Sequence, residues 1–353
     1  MSEDLHVVVP GPLDQLTGGY IYDARMVSGL RELGWTVAVH DLPGRFPDAD
    51  ARALAALEGT LASLPDAARV VVDGLAMGGA PEPVERHAGR LRILSLVHHP
   101  LADETGWSDA DRLRLRDSER RALAPCRGVL VSSPFTAQAL AAYGVEAARV
   151  RVVLPGTEPA RAAPGPPEGR PPVLLCVASL TPRKGHDVLV EALAAVADLP
   201  WTCILAGSPD RDPAHAARVR RLVADAGLTD RVRFEGEREG AALEALYQGA
   251  SVFVLASHHE GYGMALADAL ARGLPVVSTT GGAIPHTVPR EAGILVAPGD
   301  PAAFAAALST LLGPTGAAER ARRGAAARRY AATLPTWRDS ARAFAAAVEE
   351  LTA

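Results

Sequence analysis

The chain has 353 residues, of which 48% are hydrophobic and 22% charged, with 36 basic against 41 acidic side chains and a formal net charge of −5. That length exceeds what one hydrophobic core usually supports, so two domains are expected, and the composition is that of a globular chain rather than a disordered or fibrous one. Residues 1–160 carry 16 Arg against 21 acidic residues and residues 161–353 carry 20 basic against 20 acidic ones, so neither half offers the basic field that nucleic acid or anionic lipid requires.

The chain opens on the acidic stretch Met1–Asp4 and runs directly into the apolar segment Leu5–Val9, without the basic start and long apolar core of a secretory signal. No apolar run approaches the roughly 20 residues that cross a bilayer. The cysteines Cys126, Cys176 and Cys203 lack metal-type spacing, and two of them fall inside apolar runs. Reduced core thiols in a cytoplasmic protein are the expectation.

Short β-branched runs alternate with long Ala/Leu/Arg-rich amphipathic segments, the pattern of parallel sheets covered by helices, so the fold class is α/β. Strands are expected at Leu5–Val9, Thr36–His40, Val70–Val72, Arg92–Val97, Gly128–Val131 and Val150–Leu154. A second set follows at Val173–Val177, Thr202–Ala206, Val232–Glu235, Val252–Ala256, Pro275–Ser278 and Gly293–Val296. Between the sets, residues 161–172 are so rich in Pro and Gly that neither helix nor central strand is possible, and they read as an interdomain linker. The expected organisation is a first domain over 1–160, a second over 173–335, and a terminal helix over 336–353 that packs back toward the first. Two doubly wound, Rossmann-like lobes would face each other across a cleft at the carboxyl ends of their sheets, where such folds bind ligands.

Lys184 is the only lysine among the 36 basic residues. It lies in the loop Ala178–Gly185 between an apolar strand and a helical segment, where an ammonium, backbone N–H groups and a helix dipole can converge on a phosphate; a solvated turn lysine is the alternative. Downstream, the strand Val252–Ala256 leads into Ser257-His258-His259-Glu260-Gly261-Tyr262-Gly263-Met264 and a helix carrying Asp268. The two glycines let backbone approach a ligand, and the two carboxylates have the chemistry to accept hydrogen bonds from sugar or ribose hydroxyls. A surface Glu and a capping Asp would have the same spacing.

These residues resemble the retaining nucleotide-sugar glycosyltransferases of family 4, which have the GT-B fold. The family's Glu-x7-Glu pattern is matched by Glu260 to Asp268, its Lys-Gly pair by Lys184-Gly185, and its Gly-Leu-Pro-Val-Val run by residues 273–277, followed by Gly281-Gly282-Ala283-Ile284-Pro285 and Ala292-Gly293-Ile294-Leu295-Val296. The resemblance implies a metal-independent transfer of a sugar from a nucleotide-diphosphate sugar to an acceptor, with no cofactor. It implies that Lys184 binds the donor diphosphate, that Glu260 lies by the donor sugar and its anomeric carbon, and that Asp268 holds the ribose. Backbone of Gly261, Tyr262, Gly263 and Met264 would line the sugar and phosphate. The match is looser in the first half. There Gly18 and Gly19 resemble the family's opening glycine loop, and His98, directly after Arg92–Val97, sits where the family often has a histidine; His99 is an equal competitor, and a buried structural His is the other reading. Two positions depart from the family. Ser179 stands where an Arg usually makes a second diphosphate contact, for which Arg183 is a candidate replacement, and Asp268 is one methylene shorter than the usual Glu.

Three rival functions share parts of this pattern: a nonenzymatic two-lobed binding protein, a nicotinamide-dependent oxidoreductase, and a phosphorylase or sugar-phosphate synthase on the same scaffold. The oxidoreductase lacks its Gly-x-Gly-x-x-Gly after a strand. The expected partners are a nucleotide-sugar donor and a small soluble acceptor, with no nucleic acid and no membrane insertion. Acceptor specificity is expected in the loops 11–19, 77–83 and 98–107, and base contacts near Glu235–Arg238 and Leu246–Tyr247.

Overall fold

A computed structural model describes residues 4–353 of the chain; Met1–Glu3, most of the acidic start read against a signal peptide, lie outside the described residues. The apolar runs become twelve strands: β1 Leu5–Pro10, β2 Val37–Leu42, β3 Arg69–Asp73, β4 Arg92–Val97, β5 Gly128–Val131, β6 Val150–Val152, β7 Val173–Val177, β8 Thr202–Ala206, β9 Val232–Gly236, β10 Val252–Leu255, β11 Val276–Thr279 and β12 Gly293–Val296. They form two six-stranded sheets in which every pairing is parallel. Such strands are covered by helices on both faces and read as continuous apolar runs. Accordingly β1, β5, β10 and β11 are buried along their whole length.

The chain divides into two compact units. The first holds the residues up to Gly156 together with Pro335–Ala353, and the second holds Thr157–Leu334. In the first, the strand order is β2-β1-β3-β4-β5-β6. The order reverses beside β1, so the loops after β1 and β3 diverge there and leave room for a ligand. The closing helix Trp337–Thr352 starts with a capping box, in which the Thr336 hydroxyl accepts from Asp339 N and the Asp339 carboxylate reaches back to Thr336. It lies against the helix Gly18–Glu32, and Arg92 at the start of β4 donates to the carbonyl of Thr352 at 2.7 Å.

In the second unit the order is β12-β11-β10-β7-β8-β9, reversing between β7 and β10. This is the doubly wound arrangement of nucleotide-binding sheets. Trp201, Tyr247, Phe253 and Phe304 are fully buried in its core. The Pro/Gly-rich segment 161–172 runs along this unit: Ala163 N donates to Arg272 O at 2.8 Å and Gly165 N to Gln248 O at 3.1 Å. Its lack of regular structure follows from composition, whereas its course is set by these backbone bonds to the second sheet's helices. Cys126, Cys176 and Cys203 are free and buried. Among the described residues, no helix is long and apolar enough to cross a membrane.

Candidate functional site

The reversal point of the second sheet brings together the two loops that the sequence singled out. After β7 the chain makes a single 3-10 turn at Pro182–Lys184, passes through Gly185 and enters the helix His186–Ala195. Gly185 has φ +63° and a Cβ there would lie 2.1 Å from the carbonyl oxygen of Ala256, at the end of β10. No other residue combines that backbone with so close an approach. The loop after β10 is stitched to it: Arg183 O accepts from His258 N at 2.8 Å and lies 3.0 Å from Ser257 Oγ, while Arg183 Nη1 donates to His259 O at 2.8 Å.

This stitching places Lys184 Nζ 2.7 Å and 2.9 Å from the two oxygens of Glu260, with Arg183 Nη1 at 3.7 Å. Glu260 is only 6% exposed. Burial, which favours the neutral acid, is overridden by the charges of Lys184 and Arg183 and the Lys184 hydrogen bonds, drawing the carboxyl down to about 2. The backbone of Glu260 is pinned by a bridge to Gly282 and by Ala283 N donating to its carbonyl at 2.8 Å.

Gly261, Tyr262 and Gly263 continue the loop, and Met264 starts the helix Met264–Ala271, whose N-terminus has no side-chain cap. Tyr262 is buried, and its carbonyl accepts the Thr287 hydroxyl at 2.5 Å. Leu266, Ala267, Ala269 and Leu270 face the core, which leaves Asp268 on the partly exposed side of this helix. There Arg272 sets its surroundings: Nη1 is 3.7 Å from Asp268 Oδ1, the guanidinium pairs with Glu244 at 2.5 Å, and it stacks 4.5 Å over the Tyr247 ring. Ser179 is half-buried beside the end of β8, and its hydroxyl makes no hydrogen bond among the described residues.

The first unit holds a separate cluster. Gly18 and Gly19 open the helix Gly18–Glu32, and a Cβ on Gly19 would meet the His98 ring at 3.1 Å. His98 follows β4 directly. Its Nε2 lies 3.1 Å from Asp23 Oδ1 and 3.9 Å from Asp73 Oδ2, its edge faces the Tyr22 ring at 5.4 Å, and its carbonyl accepts the hydroxyls of Ser132 and Thr136. Burial, which disfavours a charged ring, is overridden by Asp23 and then Asp73, and the imidazole is raised to about 9. Burial and the neighbouring Asp23 charge raise the Asp73 carboxyl. His99, the competitor, instead pairs with Glu104 at 3.5 Å. Asp23, Asp73 and His98 are the group of metal-competent side chains among the described residues whose ligand atoms lie within 4.8 Å of one another.

Asp23 and Asp73 escaped the sequence reading. A signal was present for each: Asp23 stands four residues after Gly19, on the same helical face, and Asp73 is the polar residue directly after the apolar run Val70–Val72.

Residues 171–313, which include Lys184, Glu260 and Asp268, match the family model described as glycosyl transferases group 1. These residues are a group 1 glycosyltransferase domain. Among curated proteins, a D-inositol 3-phosphate glycosyltransferase of Acidothermus cellulolyticus is 29% identical over 338 residues, 87% of this chain and 68% of that protein. One from Salinispora arenicola is 35% identical over 217 residues, 54% of this chain and 47% of its own. A GDP-mannose-dependent alpha-(1-6)-phosphatidylinositol monomannoside mannosyltransferase of Mycobacterium tuberculosis is 30% identical over 228 residues, 58% of this chain and 56% of its own. The alignments therefore span about half the length of two of these three relatives.

Solved structures extend the likeness beyond the group 1 domain to nearly the whole chain. The sucrose-phosphate synthase of Thermosynechococcus elongatus superposes with a TM-score of 0.80 at 21% identity, covering 99% of both chains. Anabaena Alr3699/HepE in complex with UDP and glucose gives 0.73 at 16%, covering 98% of this chain and 99% of that one. The fold is that of the GT-B glycosyltransferases.

Proposed function

We propose that this chain is a retaining, metal-independent glycosyltransferase that moves a sugar from a nucleoside-diphosphate sugar to a small hydroxylated acceptor. The observation that carries the reading is the Lys184–Glu260 pair, set where the second sheet's strand order reverses, inside the group 1 domain. In the donor complex the Lys184 ammonium turns from Glu260 to the diphosphate, joined by Arg183 and by the uncapped backbone N–H groups at the start of Met264–Ala271. Glu260, held ionised, faces the sugar; Asp268 accepts from the ribose hydroxyls. The bond from the anomeric carbon to the phosphate oxygen breaks with its electron pair leaving on the nucleoside diphosphate. The acceptor oxygen bonds to that carbon on the same face, and the acceptor proton passes to the departing phosphate. Lys184 and Arg183 supply fixed positive charge where negative charge develops, which is the largest single contribution such a site makes. His98, in the first unit, meets a substrate oxygen.

A panel of UDP-, GDP-, ADP- and dTDP-sugars, read by thermal shift and by release of nucleoside diphosphate, tests the reading. Adding inositol phosphates tests the acceptor class named for two of the relatives. One donor should stabilise the chain and be consumed in the presence of chelator, the product keeping the donor's anomeric configuration by NMR coupling. Turnover abolished by chelator, an inverted product, or a Lys184→Ala variant with unchanged turnover would each sink it. Ser179, whose hydroxyl makes no hydrogen bond among the described residues, supports a second reading in which the donor is bound but turned over weakly or not at all. Donor-induced stabilisation without nucleotide release would select that one, and turnover dependent on inorganic phosphate would select a phosphorylase.

A further inference from the structure

The second unit matches its ionic groups one cation to one acid at Glu260, with Arg183 behind. The first unit does the reverse, packing two buried acids against a single histidine. Asp23 is 1% and Asp73 5% exposed. Asp73 already has a structural duty, since its Oδ1 accepts from Leu75 N at 2.6 Å and caps the short helix that follows β3. Asp23 has none. It sits in the interior of the helix Gly18–Glu32, where a carboxylate neither caps nor is solvated, and its Oδ1 lies 3.1 Å from His98 Nε2. A buried carboxylate is costly unless a charge answers it.

The ring is fixed from the remaining sides as well. Gly19 closes on its Cδ2–Nε2 edge, Tyr22 meets it edge-on, and its backbone carbonyl is held by Ser132 and Thr136. Nδ1 alone has no partner among the described residues, and the side chain is 19% exposed. The titratable groups facing the ring are Asp23 and Tyr22 from the helix Gly18–Glu32 and Asp73 from the end of β3, with His99, paired to Glu104, next in the chain.

We propose that Asp23, backed by Asp73, is a positioning residue that locks Nε2 of His98 and holds the ring as a cation, so that Nδ1–H is presented to an electron-rich substrate oxygen. His98 is then a hydrogen-bond donor and not a base. This fits a transfer in which the departing phosphate takes the acceptor proton, leaving no proton for a protein base to collect. The inference rests on the proposed role of His98 at the substrate, and its test separates the two.

The full chain, isotopically labelled and with the His98 resonances assigned by comparison with His98→Gln, is titrated by NMR without substrate. In the wild type the ring should stay protonated through neutral pH and titrate near 9. Asp23→Asn keeps an acceptor for Nε2 but removes the charge, and should lower that midpoint by on the order of one unit or more; Asp73→Asn, which removes a mostly protonated acid, should move it less. Turnover of the best donor should then lose its alkaline limb at correspondingly lower pH in Asp23→Asn, a shift that a merely structural role would not produce. At pH 8 the loss should be about twofold for a one-unit shift and about tenfold for a two-unit shift. A wild-type midpoint at the ordinary imidazole value, or one unmoved by Asp23→Asn, overturns the proposal. So does a midpoint that moves while the pH profile of turnover stays put, or displacement of the Nε2 proton by added Mg²⁺, Mn²⁺ or Zn²⁺. A shifted midpoint in a chain that consumes no donor overturns the proposed activity and leaves the Asp23–His98 assignment standing.

Discussion

The two units bury charge in opposite ways. In the second, one acid meets permanent cations: Glu260 lies against Lys184 and Arg183, and its carboxyl is drawn down to about 2. In the first, two acids meet one titratable cation, so His98 is raised to about 9 and Asp73 is raised with it. Burial opposes the charged form of both Glu260 and His98, and partners decide whether it wins. A site built on Lys and Arg keeps its charge across the whole working range, as phosphate binding requires. One built on His and two carboxyls is a device whose charge depends on all three together.

The largest way to break this contrast is to remove the permanent cation. Lys184→Ala should abolish turnover by a factor on the order of 10²–10³. It should also destabilise the second unit by roughly 3–5 kcal/mol, because Glu260 is left buried with only the more distant Arg183. The combined Lys184→Met, Glu260→Gln variant should recover most of the stability in urea unfolding and none of the activity. If stability stayed low in the double variant, the loss would be one of packing and not of charge.

Gly185→Ala comes next, since it attacks the geometry and leaves the charges alone. The added methyl would meet Ala256 O at 2.1 Å from a backbone at φ +63°, and about 1–3 kcal/mol of strain is expected. Urea unfolding and donor-induced thermal shift should fall together, because the same contact that holds the loop sets Lys184 against Glu260. A variant of wild-type stability and donor affinity would show the loop adapting elsewhere.

Opposite charge burial also predicts opposite responses to pH. The imidazole of His98 is raised in the folded state, so the stability it contributes is complete below about pH 6.5 and is lost as pH climbs through 9. Asp73 and Glu119, acids that burial raises, act in the same direction. Glu260 is lowered, so its contribution is complete above about pH 4.5 and is lost as pH falls toward 2. Each effect should amount to about 1–3 kcal/mol. Trp201 is the sole tryptophan of the second unit, while Trp35, Trp107 and Trp337 belong to the first. Unfolding followed in Trp201→Phe and in a variant that retains only Trp201 should show alkali weakening the first unit and acid the second. Parallel responses would dissolve the contrast.

The sequence carried the fold because each strand is a short apolar run bounded by Gly, Pro or polar residues, and all twelve expected runs are strands with ends shifted by a few residues. The Lys184 and Glu260 loops were legible because their residues are local and stand at strand ends. The charge that answers Glu260 was not. Lys184 and Glu260 are 76 positions apart, and only the strand order puts β7 beside β10. Asp23 was hidden for a stronger reason. A carboxylate inside an amphipathic helix reads as part of its solvated face, and its partner His98 is 75 residues away, just after β4. The course of residues 161–172 was invisible too, because Pro and Gly exclude regular structure without saying which unit the chain will follow.

The smallest effect concerns Asp268. Its helix turns it outward beside Arg272, which is already committed to Glu244 and Tyr247, so Arg272 acts as a fixed cation that holds the carboxylate toward the helix end. Asp268→Glu adds one methylene, which carries the oxygens away from Arg272 and toward a ribose. Donor affinity should therefore rise by about three- to tenfold, the value of one improved hydrogen bond, and the gain should be the same for every nucleotide, since ribose is common to all. Calorimetric titration with two different nucleoside diphosphates decides it. A gain confined to one nucleotide would place Asp268 at the base, and a loss with both would mean that the Arg272 contact is worth more to this carboxylate than reach.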